Sequence, residues 1–173
     1  MPISRSETTS FRPTDRLDTS GTPAVALYDI HDVARVRVWS KGGFIGSTGD
    51  PTVRVCIQIE NIGIRGIEFD GKTFELAIFH ECGVQLPDPE LTSIEPLGPS
   101  PRLIPPKTGV TLDLYFRLAV RPQLVASMRA SWFILAAEER FVWTTNFVRD
   151  DLGSQLPLPR DPAYAAPSPA ESP

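Results

Sequence analysis

Histidine and cysteine are scarce in this chain, with two of each among 173 residues. Neither His-Glu-x-x-His nor Cys-x-x-Cys occurs, so the two spacings that set up zinc chemistry most directly are missing. Asp29, His31 and Asp32 would need to meet His80, Glu81 and Cys82 from a second loop to build a site, and no metal or cofactor is expected. Excess positive charge is missing too. A net charge of -4 and a pI near 5.2 give no bulk attraction for a nucleic-acid backbone or an anionic membrane, so no nucleic-acid partner is expected. No run approaches the roughly 20 apolar residues of a spanning helix. The opening Met-Pro-Ile-Ser-Arg-Ser-Glu lacks the pattern of a secretory signal, which implies a cytoplasmic protein with no direct membrane insertion.

Nucleophilic chemistry is equally thin. His80 and Cys82 stand two positions apart, about 7 Å along an extended strand, which is beyond hydrogen-bond reach unless the chain bends there. Cys56 falls on the polar side of its strand and Cys82 beside a turn at Gly83, so two unpaired thiols of a reducing compartment are expected. Gly42, Gly43, Gly46 and Gly49 read as a loop running into Asp50-Pro51, and that loop lacks the Gly-Lys-Ser/Thr ending of a phosphate loop and leads into a strand. Asp88, Glu90, Glu95, Asp150 and Asp151 lack the spacing of a dedicated calcium loop. The chain is therefore expected not to be an enzyme.

What is present is alternation. From Thr52 to Asn61, Val53, Val55, Ile57 and Ile59 point one way while Arg54, Cys56, Gln58 and Glu60 point the other, the period of a strand with one buried face. Val110 to Leu118 repeats it, with Leu112, Leu114 and Phe116 on one side and Asp113, Tyr115 and Arg117 on the other. Shorter runs follow the same rule at 33–41, 64–69, 72–79, 131–137 and 141–147. Asp70-Gly71 reads as a type I′ hairpin turn, Glu138 to Arg140 as a second hairpin loop, Leu91 to Ile94 as a brief pairing, and Val120 to Met128 as the one helical fragment. Seven or eight short strands without alternating helices define an all-β, immunoglobulin-like two-sheet β-sandwich over 24–151.

The 18 prolines are about twice the ordinary ~5% usage and gather in connections and at the ends. Residues 1–23 have the composition of a flexible N-terminal arm, with Phe11 and Leu17 as its anchors for a neighbouring subunit. Residues 152–173 read as a disordered Pro/Ala-rich tail. On that division, removing residues 1–23 should leave the core folded. Trp39, Phe79 and Tyr115 fall on faces opposite their strands' core residues and are the candidates for an exposed apolar patch.

Several short motifs resemble the telokin-like, immunoglobulin-type bacterial domains of the domain of unknown function 4352 family. They are the Asn-x-Gly turn at Asn61 to Gly63, the Phe-x-Leu strand at Phe74 to Leu76, the glycine-ended turn His80 to Gly83, and the Leu-x-Pro-x-x-x-Gly boundary at Leu103 to Gly109. The similarity covers about Val33 to Val148. It implies a binding or structural accessory domain and brings no catalytic residues with it.

The expected function is a non-catalytic protein-protein interaction or structural assembly module, engaging a protein partner or a second copy through Phe11, Leu17, Trp39, Phe79 and Tyr115. The alternative is a small-ligand or carbohydrate-binding module that stacks its ligand on Trp39, Tyr115 or Trp143.

Overall fold

The two long alternating runs pair with one another. In the computed structural model, which describes residues 8–152, β5 (Pro51–Asn61) and β10 (Gly109–Arg117) lie antiparallel in a register that sets Leu112 opposite Ile57 and Leu114 opposite Val55. Equal side-chain period on both strands puts all four residues on one buried face. Around this pair grows a six-stranded sheet in the order β2-β3-β4-β5-β10-β8, with β2 at Leu17–Asp18, β3 at Val25–Ile30, β4 at Ala34–Ile45 and β8 at Glu90–Glu95.

A second antiparallel sheet covers it. Its spine is the hairpin of β11 (Ser127–Ala136) and β12 (Glu139–Arg149), with β1 (Phe11–Pro13) beyond β12. On the other side β11 is paired along its length by two short strands, β7 (Glu75–Phe79) at one end and β6 (Ile67–Phe69) at the other, and β9 (Arg102–Ile104) pairs with β6. The inner faces meet in one core containing Ile57, Ile59, Leu112, Leu114, Phe116, Phe69, Ile78, Met128, Trp132 and Phe147. This is the immunoglobulin-like two-sheet sandwich that the alternation predicted.

Tyr28 of β3 bridges the sheets. Its ring meets Trp132 edge-on at 5.1 Å, and its hydroxyl lies 2.6 Å from Thr145 Oγ1, which also accepts from Trp132 Nε1 at 3.1 Å. Burying three polar side-chain groups costs little when each finds a partner. The Asn-x-Gly turn has an equally structural explanation. Asn61 is buried, donates from Nδ2 to the carbonyls of Arg65 (2.7 Å) and Ile104 (2.9 Å), and accepts from the Gly63 amide at 3.0 Å. A Cβ on Gly63 would stand 2.6 Å from the Asp32 carbonyl oxygen, so only glycine lets the turn close.

Four local expectations are corrected. Asp70-Gly71 makes no hairpin: Asp70 caps a 3-10 turn at Gly71–Thr73 through the Lys72 amide, and the strands on either side both pair with β11 instead of with each other. The helical fragment shrinks to a 3-10 turn at Pro122–Leu124, because Ser127 already belongs to β11. The second hairpin turns at Ala137 and Glu138, both at positive φ (51° and 66°), the type I′ geometry reached without glycine or asparagine. Gly42 and Gly43 belong to β4, where a bulge at Lys41 and the missing side chains let Thr9 bridge Gly43 and Pro122 pack against it.

The largest correction concerns the N-terminal arm. Residues 8–18 form a strap along one flank: Thr9 bridges β4, β1 pairs with β12 in the second sheet, and β2 pairs with β3 in the first. Phe11 is 6% exposed and belongs to the core, and Arg16 stacks its guanidinium over the Trp143 ring at 4.5 Å. The composition of this stretch is polar because only Phe11 and Pro13 point inward. Residues 1–7 and 153–173, the latter including nearly all of the expected tail, lie outside the described residues.

Candidate functional site

The anchor strands place their polar residues on the outer face of the first sheet. Registers of β4, β5 and β10 align Trp39, Cys56 and Asp113 in one row, with Arg54 and Tyr115 paired in the next. Asp113 collects three donors: the Arg54 guanidinium, the Cys56 thiol at 2.6 Å and Lys41 Nζ at 3.4 Å. Burial works to raise the Asp113 carboxyl, but hydrogen bonds from Arg54 and Cys56 and the charges of Arg54 and Lys41 outweigh it and hold it below its ordinary value. Cys56 is fully buried. That burial, with the bond to Asp113 and its negative charge, pushes the thiol up to about 12, so it stays protonated and is no nucleophile at neutral pH. Ion pairs Arg37 to Glu60 (3.6 Å) and Arg117 to Glu90 complete a cross-paired face.

The sequence candidates separate on this frame. Trp39 and Tyr115 do share the outer face of the first sheet, both half-buried. Tyr115 has the Arg54 guanidinium over its ring at 5.2 Å and donates to Glu95 at 3.1 Å, so one of its faces is already covered. Phe79 is a correction: it is 3% exposed, in the second sheet, with Arg129 over its ring. Phe11 is in the core. Leu17 is 50% exposed at the two-residue edge strand β2. Trp143, in the second sheet, meets the Tyr28 ring at a tilt of 51°, and the Arg16 guanidinium lies over both rings. Trp39, Tyr115 and Trp143 therefore build no common stacking platform.

His80 and Cys82 are closer than an extended strand allows. The chain turns at Gly83 (φ 84°), with the Gly83 amide bonded to the His80 carbonyl, and His80 Nδ1 lies 3.3 Å from Cys82 Sγ in an exposed turn. Neighbouring Glu81 reaches back to Arg149, whose guanidinium also bonds Asp151 and the carbonyls of Gln123 and Val125. That buried arginine fastens the end of β12 to three loops. Among the described residues no group of three metal-ligating side chains comes together, and no helix is long and apolar enough to cross a membrane.

What the sequence reading missed is the flank opposite the strap. There the chain crosses between the sheets twice, from β7 to β8 and from β8 to β9, through irregular proline-rich segments. Among the described residues β8 is bonded to β10 on one side and to no strand on the other. A cleft of about 610 Å³ opens beside it, between Leu91–Ile94, the segment 96–102 and Gly71-Lys72, with Leu112 at its base. A second cleft of about 420 Å³ lies at the other end of β8, over Phe74 to Ala77 and Phe116. Leu97 and Leu103 on this flank are 89% and 70% exposed. Their signal in the sequence was faint, two leucines in a loop dominated by proline and glycine.

No protein-family model matches the chain, and no curated protein matches its sequence. Several solved structures align with much of the chain at low scores. A FixG-related protein from Vibrio parahaemolyticus is 12% identical over 69% of this chain and 99% of its own, with a TM-score of 0.39. The GAE domain of GGA2p from Saccharomyces cerevisiae is 12% identical over 75% of this chain and all of its own, with a TM-score of 0.40. The structural-genomics target SoR45 reaches 17% identity over 77% and 97%, with a TM-score of 0.44. At these scores the likeness decides nothing about function, and the fold rests on the chain's own strand pairing.

Proposed function

We propose that this sandwich is a non-catalytic recognition or assembly module that takes a protein partner on its open flank. The observation that carries the reading is the coincidence on one flank of a cleft, an exposed Leu97 in its lining, an exposed Leu103 on neighbouring β9, and an edge of β8 that bonds no strand among the described residues, the combination by which sheets recruit extended segments. On the opposite flank the chain's own strap pairs with both sheets. The non-catalytic part is supported by where the chemically able groups lie. Cys56 is kept as a thiol beneath the sheet face, Asp113 is saturated by its three donors, and Arg149 is bound to neighbouring loops. A cytoplasmic setting and kinship with the telokin-like family belong to the same proposal, the Asn61 to Gly63 turn serving it as structure.

The test is a tagged full-length chain isolated from its own cells, as wild type, as Leu97→Asp with Leu103→Asp, and as Leu17→Asp with Val142→Asp. A protein that co-purifies with wild type and with the second variant but not with the first supports the open flank. Equal co-purification in all three, or none in any, contradicts it.

A further inference from the structure

Resting on that reading, we infer that the cleft beside β8 takes an extended segment of a partner protein that offers an apolar side chain to its floor and an acidic one to Lys72 and Arg102. The chain as a whole is acidic, at -4, yet no carboxylate lines this cleft, and its only charged lining residues are Lys72 and Arg102. The neighbouring cleft at the other end of β8 is mixed, with Glu75, Asp88 and Arg129. Each nearby acid lies outside the lining and already has a partner, Glu95 and Glu90 on β10 and Asp70 on two residues of the cleft wall. Asp70 accepts from the Lys72 amide and from Ser100, Glu95 from Tyr115, and Glu90 from Arg117. Lys72 is exposed and has no acidic partner among the described residues.

Arg102 is positioned by the loop itself. It donates to the Pro96 carbonyl and lies against Gly98, where a Cβ would come within 2.7 Å of its Nη2. A guanidinium held in this way keeps part of its donor fork for a carboxylate at little further entropic cost. The floor is apolar, made by Leu91, Ile94 and Leu112. Pairing along β8 would be short. The strand has six residues, a bulge interrupts it near Thr92, and Pro89 and Pro96 flank it, devices that admit a discrete segment and block open-ended sheet growth.

The probe is a display library of random peptides of roughly eight residues, long enough to span β8 at its strand rise, selected on the full-length protein. Enriched peptides should combine Asp or Glu with Leu, Ile or Phe. For the best of them, fluorescence polarisation should show binding about fivefold weaker with Lys72→Glu, more than about tenfold weaker when Arg102→Glu is added, and unchanged with Leu17→Asp. Enrichment without acidic residues, binding indifferent to Lys72→Glu, or no enrichment overturns the inference. Lys72 is exposed and its side chain has no bonding partner among the described residues, so the single variant keeps the test readable if the Arg102 change disturbs the loop. Should co-purification still depend on Leu97 and Leu103 while the peptides are not acidic, the recognition reading stands and only the partner's chemistry falls.

Discussion

The two flanks of the sandwich solve the same problem in opposite ways. Each sheet must end somewhere, and an unpaired strand edge invites another chain. On one flank residues 8–18 hold both sheets, pairing with β12 and then with β3, and insert Phe11 into the core. On the other the edge of β8 bonds no strand among the described residues, is flanked by Pro89 and Pro96, and borders a cleft that exposed Leu97 lines. On the proposed reading the flank beside β8 is the one that meets a partner, while the strap occupies the other flank with the chain's own pairing.

The strap flank is most vulnerable at Phe11. Phe11→Ala should destabilise the protein by about 3 kcal/mol, because a buried aromatic is lost and its cavity only partly collapses. Denaturant unfolding measures this, and a loss below about 1 kcal/mol would mean the strap is ornamental. Removing residues 1–23 should cost more still. The chain from 24 to 151 is then a destabilised sandwich, the reverse of the expectation drawn from composition.

Asn61→Ala comes next. It leaves the carbonyls of Arg65 and Ile104 and the Gly63 amide short of a partner, at about 2 kcal/mol. Its effect sharpens the contrast, since Ile104 belongs to β9 on the open flank: the frame there should be rigid even where the surface is free.

Asp113→Asn should act through pH. The carboxyl titrates below its ordinary 3.8 in the folded state, so its contribution is present above that value and lost as pH falls through the lower folded value. The wild type should be more stable than the variant by on the order of 1 kcal/mol at neutral pH, and the gap should close under acid. A gap independent of pH would show that Asp113 does not hold Arg54, Cys56 and Lys41 by its charge.

The smallest effect belongs to the open flank. Leu97→Asp with Leu103→Asp should shift stability by less than about 0.5 kcal/mol, because neither side chain is buried. A large loss would make these leucines structural and remove them from the recognition argument.

Strand period was enough to find β5, β10 and most of the hairpin at β11 and β12, because one buried face writes itself into alternate residues. It was not enough for the strap. A three-residue strand with two inward side chains has too few positions to show a period, and the polar residues around Phe11 looked like an unstructured arm. The Asp70-Gly71 signal misled for a related reason: Asp70 serves equally well as a cap, and pairing with β11 decided between the two uses. Outward-facing Trp39 and Tyr115 were correctly placed by alternation, but Phe79 was not: it is buried on the far side of its strand, where the Arg129 guanidinium lies over its ring. The Asp113 network needed a register between β5 and β10 that neither strand alone contains. The cleft beside β8 depends on three separate segments, and no local pattern marks their meeting.

The most direct test sets one flank against the other in the same cells, with a photo-crosslinking amino acid placed at Leu97 or at Leu17 of the full-length protein. Both positions are exposed, Leu97 at 89% and Leu17 at 50%, so each can reach a neighbouring protein. A partner on the flank beside β8 gives a discrete adduct with one protein from Leu97 and only diffuse background from Leu17. A discrete adduct from Leu17 with background from Leu97 would contradict it, and would return recognition to the N-terminal strap.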